Sequence, residues 1–160
     1  MKRIHVILGG LWGPDGPVSS FGMSTLANQL APYGEIDTHT WDRWTDCYDT
    51  IRASKDDKQI VIGYSGGGSR ATWIANRVPT VRIDLMIALD PSPSWQIKDI
   101  GNNVKSAICF YNASPLMFGL GGGRLTGKAK IFTATVHIQH LLIQFDAGIR
   151  RQVIDYVKAV

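Results

Sequence analysis

The chain has 160 residues, 44% of them hydrophobic and 19% charged, with a formal net charge of +4. Such a chain can bury most of a core on folding, and its modest charge excludes a disordered, solvating segment. Lys and Arg are scattered, the densest pairs being Lys2-Arg3 and Arg150-Arg151, and no basic stripe interleaves with aromatics. Nucleic acid is therefore not an expected partner.

Short apolar runs alternate with helix-length segments along the chain. The first run, 4–8, follows Lys2-Arg3 and has the outline of a secretory leader. His5 and Gly9-Gly10 interrupt it, however, and no small-residue cleavage site follows, so it reads as a strand. A glycine-rich loop, Gly9-Gly10-Leu11-Trp12-Gly13, comes next. The predicted order continues with a helix near 21–32, a strand at 35–41, a helix at 46–54 and a strand at 60–64. A helix at 69–78 and a strand at 84–89 follow, then an irregular segment at 91–103 and a strand at 104–110. The chain ends with an irregular segment at 112–128, a strand at 130–136 and a helix at 146–159. In that last helix Ile149, Val153, Ile154 and Val157 share one face. Several runs are nearly continuous in Val and Ile, as strands covered on both faces are. Alternating strands and helices imply one α/β domain over 1–160 with a parallel sheet and right-handed crossovers. No run is long enough to span a membrane, so a cytoplasmic protein is expected. Cys47 and Cys109 are too few for a disulfide framework, and Cys109 sits in an apolar run as a small hydrophobe would.

The most informative stretch is Gly63-Tyr64-Ser65-Gly66-Gly67, a G-x-S-x-G pattern at the end of one predicted strand and the start of the next helix. A serine on so sharp a turn has a strained backbone and needs tiny neighbours. The turn also puts Ser65 at a helix N-terminus, which favours a developing anion. The same residues support two other readings. One is a glycine-rich turn without chemistry. The other is a dinucleotide fingerprint, since Gly66, Gly68 and Ala71 fit G-x-G-x-x-A and Asp90 ends the next strand as a ribose-binding acid would. That fingerprint normally occupies the first βα unit, whereas this is the third.

Partners for Ser65 should lie beyond the carboxyl ends of strands. Asp84 begins its strand and is at the wrong end. Asp90 closes the run 85–89 before Pro91, Asp99 lies in the following loop, and no further acid occurs before Asp146. Asp90 is thus the expected acid, with Asp99 behind it. His5 and His39 fall inside strands, while His137 and His140 both follow the last strand, where a general base belongs; position alone does not separate them. No Cys, Glu or third His accompanies the His137/His140 pair, so no metal site is expected there. An oxyanion hole needs two backbone N–H groups. Gly66 would give one and the loop after the first strand the other, with Leu11 the choice and Trp12 second.

These stretches resemble lipase- and esterase-like α/β hydrolases, and more specifically a group of short bacterial serine hydrolases. The likeness rests on the Gly-Gly-Leu start, 21–27, the serine turn, Leu89-Asp90-Pro91, 104–111 and 140–143. It implies a minimal α/β-hydrolase core of about six mostly parallel strands, ordered 2-1-3-4-5-6, with helices on both faces and no lid domain. The two antiparallel strands that usually open the fold are not expected. The resemblance favours His140 over His137, although Gln144 stands where an Asp is usual, and it supports Asp90 as the acid. Tyr64, Trp12, Trp95, Met117 and Phe118 would wall an acyl pocket, with core packing as their plainer role. The function implied is hydrolysis of a small acyl ester through an acyl-enzyme on Ser65, without a cofactor. Thioester hydrolysis, acyl transfer, or ligand or protein binding without catalysis are the alternatives.

Overall fold

The computed structural model describes residues 1–10, 20–113 and 121–160. Six strands form one all-parallel sheet: β1 (Lys2–Leu8), β2 (Glu35–Thr40), β3 (Lys58–Tyr64), β4 (Ile83–Leu89), β5 (Ser106–Asn112) and β6 (Lys130–Val136). Their spatial order is β2-β1-β3-β4-β5-β6, the one expected from sequence. The principal helices are α1 (Phe21–Leu30), α2 (Trp44–Ala53), α3 (Gly66–Arg77) and α4 (Ala147–Ala159).

Two apolar layers explain the near-continuous strand runs. Alternate strand residues such as Ile4, Val6, Ile60, Ile62, Ile87 and Phe110 pack with α1 and α4. The intervening residues, among them Ile7, Val61, Met86 and Ala88, pack under α2 and α3. Because both faces are covered, the central strands lose the polar alternation of a half-exposed sheet. β2 and β6 lie at the edges and have no fully buried residues, which accounts for their mixed composition. Asp146 caps α4, its carboxylate accepting the Ile149 N–H at 2.8 Å.

The predicted elements occur with shifted ends. β3 begins two residues earlier than the apolar run, at Lys58, and β5 extends to Asn112. The largest shift is in α3, which starts at Gly66 rather than near 69. A single residue, Ser65, separates the end of β3 from the start of α3, so no loop exists for the helix signal to follow. The segment 91–103 carries a 3-10 turn over Ser94–Gln96 and a single parallel bridge from Ile100 to Gly127. The order of strands reverses between β1 and β3, the place where open α/β sheets bind ligands beyond the carboxyl ends of the strands. Gly9, just after β1, abuts Tyr64 and Ser65, just at the end of β3.

Candidate active site

Ser65 sits at φ 53° and ψ −122°, a conformation that ordinary residues avoid. Its neighbours explain how the turn is held. The Ser65 N–H donates to the Leu89 carbonyl at 3.0 Å, and its own carbonyl accepts from Gly68, Ser69 and Ser92 N–H groups. A Cβ on Gly63 would fall on the backbone of Gly67, and one on Gly67 on the carbonyl of Ile7. The two glycines are thus required by close backbone approach between β3, α3 and β1, and not by flexibility. Gly66 opens α3, where its N–H has no intrahelical acceptor and faces the region before the helix.

Asp90, directly after β4, is the second non-glycine residue at positive φ, 43°. Its Oδ1 accepts the Asn112 N–H at 3.0 Å and the Gly122 N–H at 2.6 Å. Its Oδ2 lies 2.7 Å from Nδ1 of His140. His140 opens a 3-10 turn over His140–Phe145, after β6, and its Nε2 lies 2.9 Å from Ser65 Oγ. Ser65, Asp90 and His140 are 6%, 0% and 4% exposed, so the chain of hydrogen bonds is shielded from bulk water. With Asp90 accepting, Nδ1 carries the imidazole proton and Nε2 is left to accept from the serine hydroxyl.

The other predicted residues divide clearly. His137 is exposed on the connection after β6, while His140 is buried in the cluster. Asp99 is turned elsewhere, accepting from Thr126 Oγ1 at 2.5 Å. Tyr64 is 2% exposed and stacks on the His140 ring, 5.2 Å between centroids, so it backs the imidazole. Trp95 stands 73% exposed on its 3-10 turn. Leu11, Trp12, Met117 and Phe118 lie outside the described residues. Gln144, at the position where the resemblance leads one to expect Asp, is buried.

Four further residues, Ser92, Ser69, Gly121 and Gly122, shape the site without having been singled out for it in the sequence. Ser92 is 2% exposed, and its Oγ lies 3.0 Å from Ser65 Oγ. Ser69 Oγ donates to the Ser92 carbonyl at 2.8 Å and so fixes this segment against α3. Gly121, at φ 81°, passes so close to Asp90 that a Cβ there would strike Oδ2. That approach lets the next residue, Gly122, donate its N–H to the carboxylate. For the dinucleotide reading the site offers little: both Asp90 oxygens are already engaged, and the glycines lie inside α3.

No protein-family model matches the chain, and no curated protein is similar to it in sequence. Solved structures are similar in fold. The esterase domain of a Rhodothermus marinus protein superposes with a TM-score of 0.61 at 10% identity, over 99% of this chain and 84% of that one. Human thioesterase 2 gives 0.56 at 9% identity, over 99% and 94%. Mouse alpha/beta hydrolase domain-containing protein 10 gives 0.62 at 9% identity, over 99% and 88%. Together with the strand order, these likenesses show that the chain has the α/β-hydrolase fold.

Proposed function

We propose that the protein is a serine hydrolase that cleaves a carboxylic ester through an acyl-enzyme on Ser65. The observation that carries this reading is the unbroken hydrogen-bond chain from Ser65 through His140 to Asp90, at 2.9 and 2.7 Å. In this reaction His140 Nε2 takes the Ser65 proton as Oγ attacks the ester carbonyl. Asp90 holds the reactive tautomer and stabilises the imidazolium that forms. The Gly66 N–H and a backbone N–H of the loop after β1, at Leu11, hold the oxyanion. The tetrahedral species collapses as His140 returns the proton to the leaving alcohol, and water then repeats the cycle to release the acid.

Beside His140 the 3-10 turn exposes Leu141, Leu142 and Phe145. Apolar surface next to the base favours an acyl group with hydrocarbon character over a highly charged one. Thioester cleavage by the same residues is the second reading; human thioesterase 2 among the fold neighbours speaks for it. No described helix is long and apolar enough to cross a membrane; the cytoplasm is the compartment we assign.

Treatment with a fluorophosphonate probe, followed by peptide mass analysis, tests the proposal. Label is expected on Ser65 and lost in both Ser65→Ala and His140→Ala. A folded wild-type protein that takes no label and hydrolyses no member of an ester chain-length series would overturn it.

A further inference from the structure

A second cluster of reactive side chains lies away from Ser65, on the sheet face beneath α2. β1 and β2 run in parallel register with His5 opposite Asp37 and Ile7 opposite His39. His5 and Ile7 share a face, as do Asp37 and His39, and α2 covers that face with Cys47 and Ile51. One ring nitrogen of each histidine and the Cys47 Sγ lie within 4.8 Å of one another. The two rings stack with centroids 6.0 Å apart.

Hydrogen bonding fixes what His5 presents to this cluster. Gln59 Nε2 donates to the Ser54 carbonyl at 2.5 Å, which orients the amide so that its Oε1 faces His5. Oε1 therefore accepts the His5 Nε2 proton, at 2.8 Å. In the neutral ring that leaves Nδ1 as a bare lone pair. Nδ1 is buried and has no hydrogen-bond partner, and the Asp37 carboxylate lies 3.7 Å away. His39 Nε2 is buried without a partner as well. Two buried acceptors or donors left unpaired, one of them a lone pair facing an anion, are costly unless something positive lies between them.

We propose that His5, His39 and Cys47 form a binding site for a tetrahedral, borderline-soft divalent cation of the zinc class, with Asp37 or water as the fourth ligand. Two imidazoles and a thiolate are a donor set suited to that class, whereas magnesium and calcium take oxygen. Ligand atoms on a tetrahedral zinc stand roughly 3.3–3.7 Å apart, so the cluster closes by up to about 1.5 Å on binding. Gln59 then plays the outer-sphere part, holding the His5 ring and its tautomer. Both imidazoles ligate in the neutral form. The Cys47 thiol ligates as the thiolate and releases its proton to solvent as the ion binds. A bound ion joins β1, β2 and α2 at the sheet edge and takes no part at Ser65.

Chelator-treated full-length protein, titrated with Co2+ as the spectroscopic stand-in, tests this. Expected are the intense visible bands of tetrahedral cobalt together with a thiolate-to-cobalt charge-transfer band. The charge-transfer band should be absent in Cys47→Ser, and the tetrahedral bands should weaken in His39→Asn; both should persist in His140→Ala. One equivalent of Zn2+ should displace the cobalt and raise the wild-type melting midpoint by several degrees. Wild-type protein that shows neither the bands nor the shift overturns the site. So does a signal that survives in Cys47→Ser and disappears in His140→Ala, which would put the ion at the other cluster. The wild-type titration decides the matter even if a variant fails to fold.

Discussion

Tyr64 lies nearly flat against the imidazole of His140, planes 26° apart, and donates its hydroxyl to the His140 carbonyl at 3.1 Å. The residue just before the candidate nucleophile thus grips the candidate base by both ring and backbone. Burial pushes the phenol well above its ordinary range, so the hydroxyl stays a donor throughout the pH range in which the protein is handled. Tyr64→Phe keeps the ring contact and removes the tie to the His140 carbonyl. The expected cost is about 0.5–1.5 kcal/mol of stability. A looser 3-10 turn should also lower kcat by roughly 3- to 10-fold with little change in KM, an amount that corresponds to about 1 kcal/mol in the barrier. Thermal melting and ester kinetics on the same preparation would separate the two effects.

Asp90→Asn gives the sharpest test of the acid. Its Oδ1 position receives two N–H donors, from Asn112 and Gly122, so an amide there must turn its oxygen toward them. The amide NH2 would then face Nδ1 of His140, which must accept, and the imidazole proton moves to Nε2. A protonated Nε2 cannot take the Ser65 proton. We expect kcat to fall on the order of 10⁴-fold with the melting midpoint nearly unchanged. A loss of less than tenfold would remove Asp90 from the proposed mechanism.

Ser92 acts on Ser65 through a contact of 3.0 Å between hydroxyl oxygens. When Ser65 donates to His140, its lone pairs are free to accept, and Ser92 supplies the donor. This makes Ser92 a positioning residue that fixes the rotamer of Ser65 and stabilises negative charge as it builds on the Ser65 oxygen. Ser92→Ala should reduce kcat by roughly 3- to 10-fold, in line with a neutral hydrogen bond of about 0.5–1.5 kcal/mol. KM should hold, and fluorophosphonate labelling should slow in proportion. Unchanged labelling would mean that the contact is packing alone.

The sequence makes the architecture readable because the sheet is covered on both sides: β3 and β4 are continuous apolar runs, and each ends at a recognisable break, Ser65 or Asp90 before Pro91. Strand ends also filter the polar residues, which is why Asp90 and the pair His137 and His140 can be picked out without an alignment; the family resemblance, and not position, favours His140 of the two. What stays hidden depends on contacts across the fold. Ser92 reads as an ordinary turn residue, and its role comes from the way the 90–93 segment folds back over the start of α3. His5, His39 and Cys47 read as two strand interiors and a helix position, and only the β1–β2 register with α2 above it joins them. The start of α3 is misplaced for a related reason. A run of three glycines looks like a loop, yet here they open the helix, and the close packing that calls for small residues, Gly67 against Ile7 of β1 and Gly68 against Pro91, lies far away in sequence.

Cys109 offers a prediction about stability at alkaline pH. It is buried in β5, and burial pushes its thiol up to about 11. In the unfolded chain a cysteine ionises near 8.5. Between those values the folded protein holds a proton that the unfolded chain has released, so the stability linked to this group is fully present below about 8.5. It is lost as pH rises toward the folded value. Cys109→Ala removes the linkage at the expense of a small cavity. The variant should therefore lose less melting temperature than wild type between pH 8.5 and 11, even if it starts slightly lower. Below that window, at pH 8, a thiol reagent such as DTNB should leave Cys109 unmodified in native protein and react with it on denaturation. Rapid native reaction at pH 8, or parallel melting curves for the two proteins, would show that the thiol is not held in the protonated form by its surroundings.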